Sequence, residues 1–426
     1  MRSSRRSTEF GLVAAVLGLL LASCGGGTSE PTGGGGGGPT GFSIKGKLAT
    51  PALRTGARGQ ANLAAPQVAK VLAFSPSRWW SGSVTAGAFQ LEIDPTAPTG
   101  IVFAGPADEF LGALLLPSGF AAIPLQVKSD GVTSVDLGTV MSSGTVFTPG
   151  HDPVGAEIQL GTADRAALKL LEGTFGAAVR NPDADGDGRI DLLQGRFYRP
   201  YFQYWVEGGG FAGGVAAAPV VPAAVSGFRL GIHVNDTAPL PSTVTFTGPA
   251  GSGLSGVVND APAGTGTGWA AYGSPHIENP TVPPGGRYTI GLGARTLAFD
   301  IGDQSTATEH VALTVPTVTL NADGTVASVA WTYRLGDQSG TVQPSALIQD
   351  LILQIDGDGT SGSPPCAANG GISVNQGTRA YNSPNFGAAV TSHVLACQNI
   401  RWTSVRAIFM AYNDVYGNHV VVSWRK

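Results

Sequence analysis

The chain has little charge for its length. Only 13% of its 426 residues are charged, with 25 basic side chains against 29 acidic ones. No run of Lys and Arg is long enough to follow a phosphate backbone, which excludes nucleic acid as a partner. Cysteine is scarce, at three residues, and none stands in a C-x-x-C pair. The six histidines (His151, His233, His276, His310, His393 and His419) form no H-E-x-x-H or H-x-H arrangement, so the usual zinc signatures are missing. A G-x-S-x-G elbow and a P-loop are missing too. Paired carboxylates for glycoside hydrolysis meet only in a fold, but acids are few. The expectation is therefore a protein that is not an enzyme. Its one strongly apolar run, Gly11 to Leu21, is too short to span a bilayer.

Glycine and proline are plentiful, at 63 and 29 residues. They punctuate short apolar runs, which reads as a mostly β chain of tandem antiparallel β-sandwich domains. Residues 42–147 hold a series of short strand candidates, among them Ile44–Leu48 and the turn and alternating strand over Ser83–Ile93, with Phe89, Leu91 and Ile93 on one face. Residues 148–200 break the pattern. Leu168, Leu171, Phe175 and Val179 recur at helical spacing over Thr162–Val179, and Thr162 or Asp164 can cap that helix. Residues 201–426 return to strands, with a hairpin turn at Asn321–Gly324 and a final strand, His419–Trp424, pinned into a sheet. Asp356-Gly357-Asp358-Gly359 reads as a turn.

At the start of the chain, Arg2, Arg5 and Arg6 precede the apolar run, and Leu21-Ala22-Ser23-Cys24 follows it. This resembles the export signal and lipobox of bacterial lipoproteins. The resemblance implies that residues 1–23 are removed and that Cys24 is acylated, holding the protein to a membrane by lipid. Removal takes away three Arg and Glu9, leaving the remainder at net −6. Residues 24–41 are then a Gly-rich tether that holds the body off the bilayer. Gly25, where an Asp would signal inner-membrane retention in such proteins, favours the outer membrane or the cell surface. Cys366 and Cys397 remain as a disulfide pair in an oxidising compartment, worth roughly 3 kcal/mol. The first body also resembles prealbumin-like and carboxypeptidase-regulatory-like sandwiches, through Gly46-Lys47-Leu48 and Gly87-Ala-Phe89-Gln-Leu91-Glu-Ile93.

One motif carries chemistry. Asn181–Arg196 reads NPDADGDGRIDLLQGR. Asp183, Asp185 and Asp187 are alternate carboxylates in a tight turn, which is how a hard cation gathers oxygens. The string resembles EF-hand and dockerin-like calcium loops. The resemblance implies calcium ligands at Asp183, Asp185, Asp187, the Arg189 carbonyl, Asp191 and Gln194, with Ile190 packed on the core. Gln194 departs from the pattern, since a bidentate acid is usual there. A neutral amide lowers affinity toward that of sites working in millimolar calcium. The following segment looks like a strand, so the hand is incomplete. The competing reading is a solvated acidic turn. Trp79-Trp80, Trp269 with Tyr272, and the stretch Tyr198–Trp205 could stack on sugars, although adjacent Trp79 and Trp80 point to opposite strand faces and one of them should be core.

The sequence thus points to an exported, lipid-anchored lipoprotein stabilised by calcium. Its role would be structural, adhesive or ligand-binding, with a cell-envelope protein or a glycan as partner. A carbohydrate-binding surface protein and an envelope hydrolase are the rival readings.

Overall fold

In the strand Ala88–Ile93 the two-residue period is met in full, with Phe89, Leu91 and Ile93 buried and the residues between them exposed. The computed structural model describes residues 42–49, 67–76, 78–93, 97–125, 132–207, 210–211, 225–236, 239–259, 264–266, 268–278, 282–304, 311–335, 347–359, 372–375, 378–382, 386–387, 390–395 and 400–426. Cys24 with its lipobox and tether, and both Cys366 and Cys397, lie outside the described residues. The chain is mostly β, in several sheets. Among the described residues no helix is long and apolar enough to cross a membrane.

The first sheet comprises β1 (Phe42–Leu48), β2 (Lys70–Phe74), β3 (Trp79–Ser83), β4 (Ala88–Ile93), β5 (Thr99–Ala104), β6 (Phe110–Leu114), β7 (Ala122–Ile123), β8 (Ser134–Ser143) and β9 (Val146–Pro149). Its order is β3-β2-β5-β6-β9-β8-β1-β4, with β7 beside β5. The two ends of that order meet. A Cβ on Gly82 of β3 would lie 2.8 Å from Leu91 and 3.1 Å from the Gln90 carbonyl of β4. The sheet therefore curls back on itself around Phe89, Phe103 and Phe147, whose ring centroids are 5.9 and 4.1 Å apart in turn. Trp79 and Trp80 are both half-buried on β3, so neither is wholly core.

The single expected helix is two: α1 (Thr162–Leu171) and α2 (Gly173–Arg180). Leu168, Leu171, Phe175 and Val179 are all buried, as their spacing requires. The break falls at Glu172, whose buried carboxylate reaches away to accept the N–H groups of Ala121 and Ala122. The cap also differs. Gly161 precedes the first turn with no side-chain cap, and neither Thr162 nor Asp164 supplies one. Helix α2 lies against β5 because Gly100 carries no side chain: a Cβ there would sit 2.6 Å from Val179.

The remaining strands are β10 (Phe197–Glu207), β11 (Gly227–Asn235), β12 (Val244–Thr247), β13 (Val257–Asn259), β14 (Gly264–Gly266), β15 (Trp269–Gly273), β16 (Gly286–Leu292), β17 (Arg295–Ile301), β18 (Ala312–Leu320), β19 (Val326–Leu335), β20 (Ile348–Gly359), β21 (Ile372–Asn375), β22 (Thr378–Asn382), β23 (Phe386–Gly387), β24 (Ser392–Val394), β25 (Ile400–Asp414) and β26 (His419–Arg425). Ten of them form one sheet, β14-β15-β11-β10-β26-β25-β20-β22-β21 with β23 on β20. Smaller sheets, β13-β12-β16-β17 and β18-β19-β24, complete the body. They pack on one face of the large sheet, through Phe202 against Tyr288 at 5.6 Å and through Trp424 Nε1 donating to the Thr314 carbonyl at 2.9 Å. The last strand is pinned as expected, and centrally, between β25 and β10. Among the described strands three pairings are parallel (β1–β8, β6–β9 and β10–β26), and the other strand pairings are antiparallel. The Asp356–Gly359 stretch is not a turn. It is the irregular end of β20, where the register against β25 slips and Asp356 pairs with Arg406.

The β25–β26 turn plugs into the helices. Asn418 Nδ2 donates to the Leu171 carbonyl at 3.1 Å and to Asp414 at 2.8 Å, and its Oδ1 accepts Thr174 Oγ1 at 2.8 Å and the Phe202 N–H at 3.0 Å. Phe175 packs between Phe74 and Tyr416. One buried apolar cluster consequently runs from Phe42 to Trp424.

Burial pushes the Asp414 carboxyl up to about 7, against hydrogen bonds from Asn418 and Tyr416 that favour its charge. A carboxyl whose folded pKa exceeds its unfolded value of about 3.9 holds its proton more tightly when folded. The stability it contributes is whole below about pH 4 and is lost as pH rises to about 7. Burial pushes Glu172 and Asp350 the same way. Acidifying from about pH 8 to about pH 5 should therefore raise the urea midpoint, and Asp414→Asn should show a smaller rise. Equal rises in the two proteins would mean that Asp414 ionises as readily folded as unfolded.

Candidate metal centre

The chain leaves α2 at Arg180 and enters β10 at Phe197, and the acidic loop is the turn between them. Gly186 and Gly188 take φ of 74° and 83°, where a side chain would be strained, and so allow the bend. Asp183 accepts the N–H of Gly188 at 2.8 Å and that of Asp187 at 3.0 Å. Asp187 in turn accepts the Arg189 N–H at 2.8 Å. These local bonds converge the side chains, and carboxylate oxygens of Asp183, Asp185 and Asp187 lie within 4.8 Å of one another.

The far side of the loop is tied to the first sheet. Ile190 N–H donates to the Asp108 carbonyl at 2.9 Å, and Phe110 N–H to the Gly188 carbonyl at 3.3 Å. The Ile190 side chain is fully buried, as its place in the motif predicts. A short 3₁₀ turn, Asp191–Gln194, then leads through Gly195 into β10. A strand follows the loop where an EF-hand has its exiting helix.

The other expected ligands are placed less simply. Asp191 is buried, and its Oδ2 accepts the Ala184 N–H at 2.7 Å. Its Oδ1 is buried without a hydrogen-bond partner. Burial, with the charges of Asp185 and Asp183 behind it, pushes the Asp191 carboxyl up to about 7. Asp191 also borders a cavity of about 30 Å³, room for one water of the kind that often stands between a ninth-position side chain and the ion. Gln194 donates from Nε2 to Asp187 Oδ2 at 2.7 Å, and this bond holds the Asp187 carboxyl below its ordinary value. A half-turn of the amide would present Oε1 instead. Arg189 gives its N–H to Asp187 and is exposed.

Two arginines outside the expected ligand set complete the surroundings. Arg196 pairs with Asp185, with Arg295 Nε at 3.9 Å from the same carboxylate. Both also pair with the buried Asp236, which accepts the Tyr198 hydroxyl at 2.7 Å. Asp236 and Arg295 are far from the loop in sequence, and no local signal marks them. The polarity of Arg196 at the mouth of β10 was the one available hint.

No protein-family model matches this chain, and no curated protein matches it. The chemistry of the loop is therefore judged from its own atoms. All its candidate donors are oxygens, four of them on carboxyl groups, which suits a hard divalent cation. The unmet Asp191 oxygen and its small cavity suit a water-linked ligand there. Elsewhere, a cleft of about 380 Å³ is lined in part by Glu172, Asp300 and Asp303. The Glu172 oxygens are already engaged, by the N–H groups of Ala121 and Ala122 and by Lys169 at 3.4 Å.

Gln194→Glu should separate the two roles of that residue. It replaces a hydrogen bond to Asp187 with a like-charge contact, so the protein should melt at a lower temperature in chelator. In calcium the added carboxylate should bind the ion and reverse the loss. A variant indifferent to both conditions would place the Gln194 side chain outside the site.

Proposed function

We propose that the protein is an exported bacterial lipoprotein, held to a membrane by lipid on Cys24. Its β-sandwich body carries one structural calcium ion and has a structural, adhesive or ligand-binding role at the cell envelope. The observation that carries the metal reading is the convergence of Asp183, Asp185 and Asp187 beside the unmet Asp191 oxygen. Asp183, Asp185 and Asp187 would hold the ion, with Asp191 behind a water and Gln194 after an amide rotation. Bound there, calcium would supply positive charge that offsets the mutual repulsion of the carboxylates. It would also brace the passage from α2 to β10, beside the hydrogen bonds to Asp108 and Phe110. The lipid anchor is supported by the lipobox residues Leu21-Ala22-Ser23-Cys24 and by the Gly-rich tether after them.

The metal reading is tested by melting the purified protein in calcium and in chelator. Calcium at about a hundred times its dissociation constant should stabilise by about 2.7 kcal/mol, and Asp185→Ala should lose that gain. No response up to millimolar calcium leaves the loop as an acidic turn. For the anchor, the wild-type protein expressed in a bacterium should partition into detergent and incorporate labelled fatty acid, and Cys24→Ala should do neither. Unchanged labelling in the variant would sink the anchor.

A further inference from the structure

The large sheet has a second face, turned away from the smaller sheets. There the alternation of β10, β11 and β26 places polar side chains, including Tyr201, Arg229, His233 and His419. Glycines make room for two of them. Tyr201 lies over Gly231, where a Cβ would come within 2.2 Å of the ring Cζ. Arg229 lies over Gly273, where a Cβ would come within 3.0 Å of the guanidinium Cζ. Gly231 and Gly273 are direct partners across β11 and β15. Glycine weakens a strand interior and often marks a close approach. Two side by side clear a flat bed for a phenol and a guanidinium, and the phenol favours the guanidinium's charge. The rings of His233 and His419 flank Tyr201 at 5.0 and 4.8 Å.

This assembly is short of an acceptor. Arg229 Nε and Nη2 are buried and meet no hydrogen-bond partner among the described residues, and the same holds for Nε2 of His233 and of His419. Burial works against the Arg229 charge and Tyr201 favours it, and among the described residues no carboxylate is seen to act on it. A buried cation without a counter-charge is strongly unfavourable. The two unmet donors of Arg229 are moreover the adjacent pair that forms the side-on fork of a guanidinium, whose spacing matches the two oxygens of a carboxylate. Arg229 as a whole keeps some exposure, so the fork lies just beneath the surface.

We propose that this face of β10, β11 and β15 is a binding site for a small carboxylate ligand, received by the Nε and Nη2 donors of Arg229 beside His233 and His419. The ligand supplies the missing counter-charge, and the imidazoles offer further donors from Nε2. None of these groups belongs to the metal loop, and the site does not depend on it.

The test is calorimetric titration of the intact, detergent-solubilised protein with acetate, benzoate and glucuronate at fixed ionic strength. Phosphate and sulfate serve as comparators, and each run is made in chelator and again in calcium. Saturable binding of at least one carboxylate is expected, in chelator as in calcium, with a matching rise in melting temperature. Arg229→Gln should weaken it about tenfold or more, as loss of a bidentate charged pair implies. If that variant does not fold, Tyr201→Phe and His419→Gln leave the fork in place and should each weaken binding severalfold. The proposal is overturned if no carboxylate binds saturably at tens of millimolar, or if the folded variants bind as the wild type does. Phosphate or sulfate binding as tightly as every carboxylate would overturn it as well.

Discussion

A single buried amide holds the helices, the large sheet and the β25–β26 turn together. Asn418 gives both its N–H groups and both sides of its oxygen to partners on α1, α2, β10 and its own turn. Such a group is worth little more than its exchange with water while every bond is made, and it is expensive when one is not. Its value is therefore positional. With Asn418 satisfied, Phe175 is trapped between Phe74 and Tyr416, and α2 is pressed to β5 over Gly100. The acidic loop begins where that helix ends.

The loop is thereby fixed at both ends by elements that cannot shift separately. Its start follows α2, its middle is hydrogen-bonded to the β5–β6 turn, and its exit becomes β10. Arg196 and Arg295 hold Asp185 from the side of the large body while Asp236 holds both arginines. A cation and these guanidinium groups would compete for the same oxygen. Neutralising the cluster is thus a task shared between the loop and strands far from it in sequence.

What was legible in the sequence was local. The burial of Phe89, Leu91 and Ile93, the apolar helix face from Leu168 to Val179 and the turn at Asn321–Gly324 each depend on neighbours within a few residues. The alternate aspartates were legible for the same reason, since their convergence follows from hydrogen bonds inside the loop. The helix break at Glu172 was not, because its cause is a pair of N–H groups about fifty residues earlier. Nor was the strand character of Asp356–Gly359, which β25 and β22 impose on a composition that favours turns. Polar residues at alternate positions of β10 and β11 look like an ordinary solvated face; only the fold shows them buried around Tyr201.

The order of strands in the large sheet bears on when the chain can fold. β10 is joined on one side to β11, which follows it closely, and on the other to β26, more than two hundred residues later. A chain that emerges from its N-terminal end exposes the unpaired edge of β10 until β26 arrives. Loop closure over that span makes the final pairing slow, and an open edge is a template for pairing with the wrong chain. β26 sits at the middle of the sheet, so its pairing with β10 is what joins the strands on one side of it to those on the other.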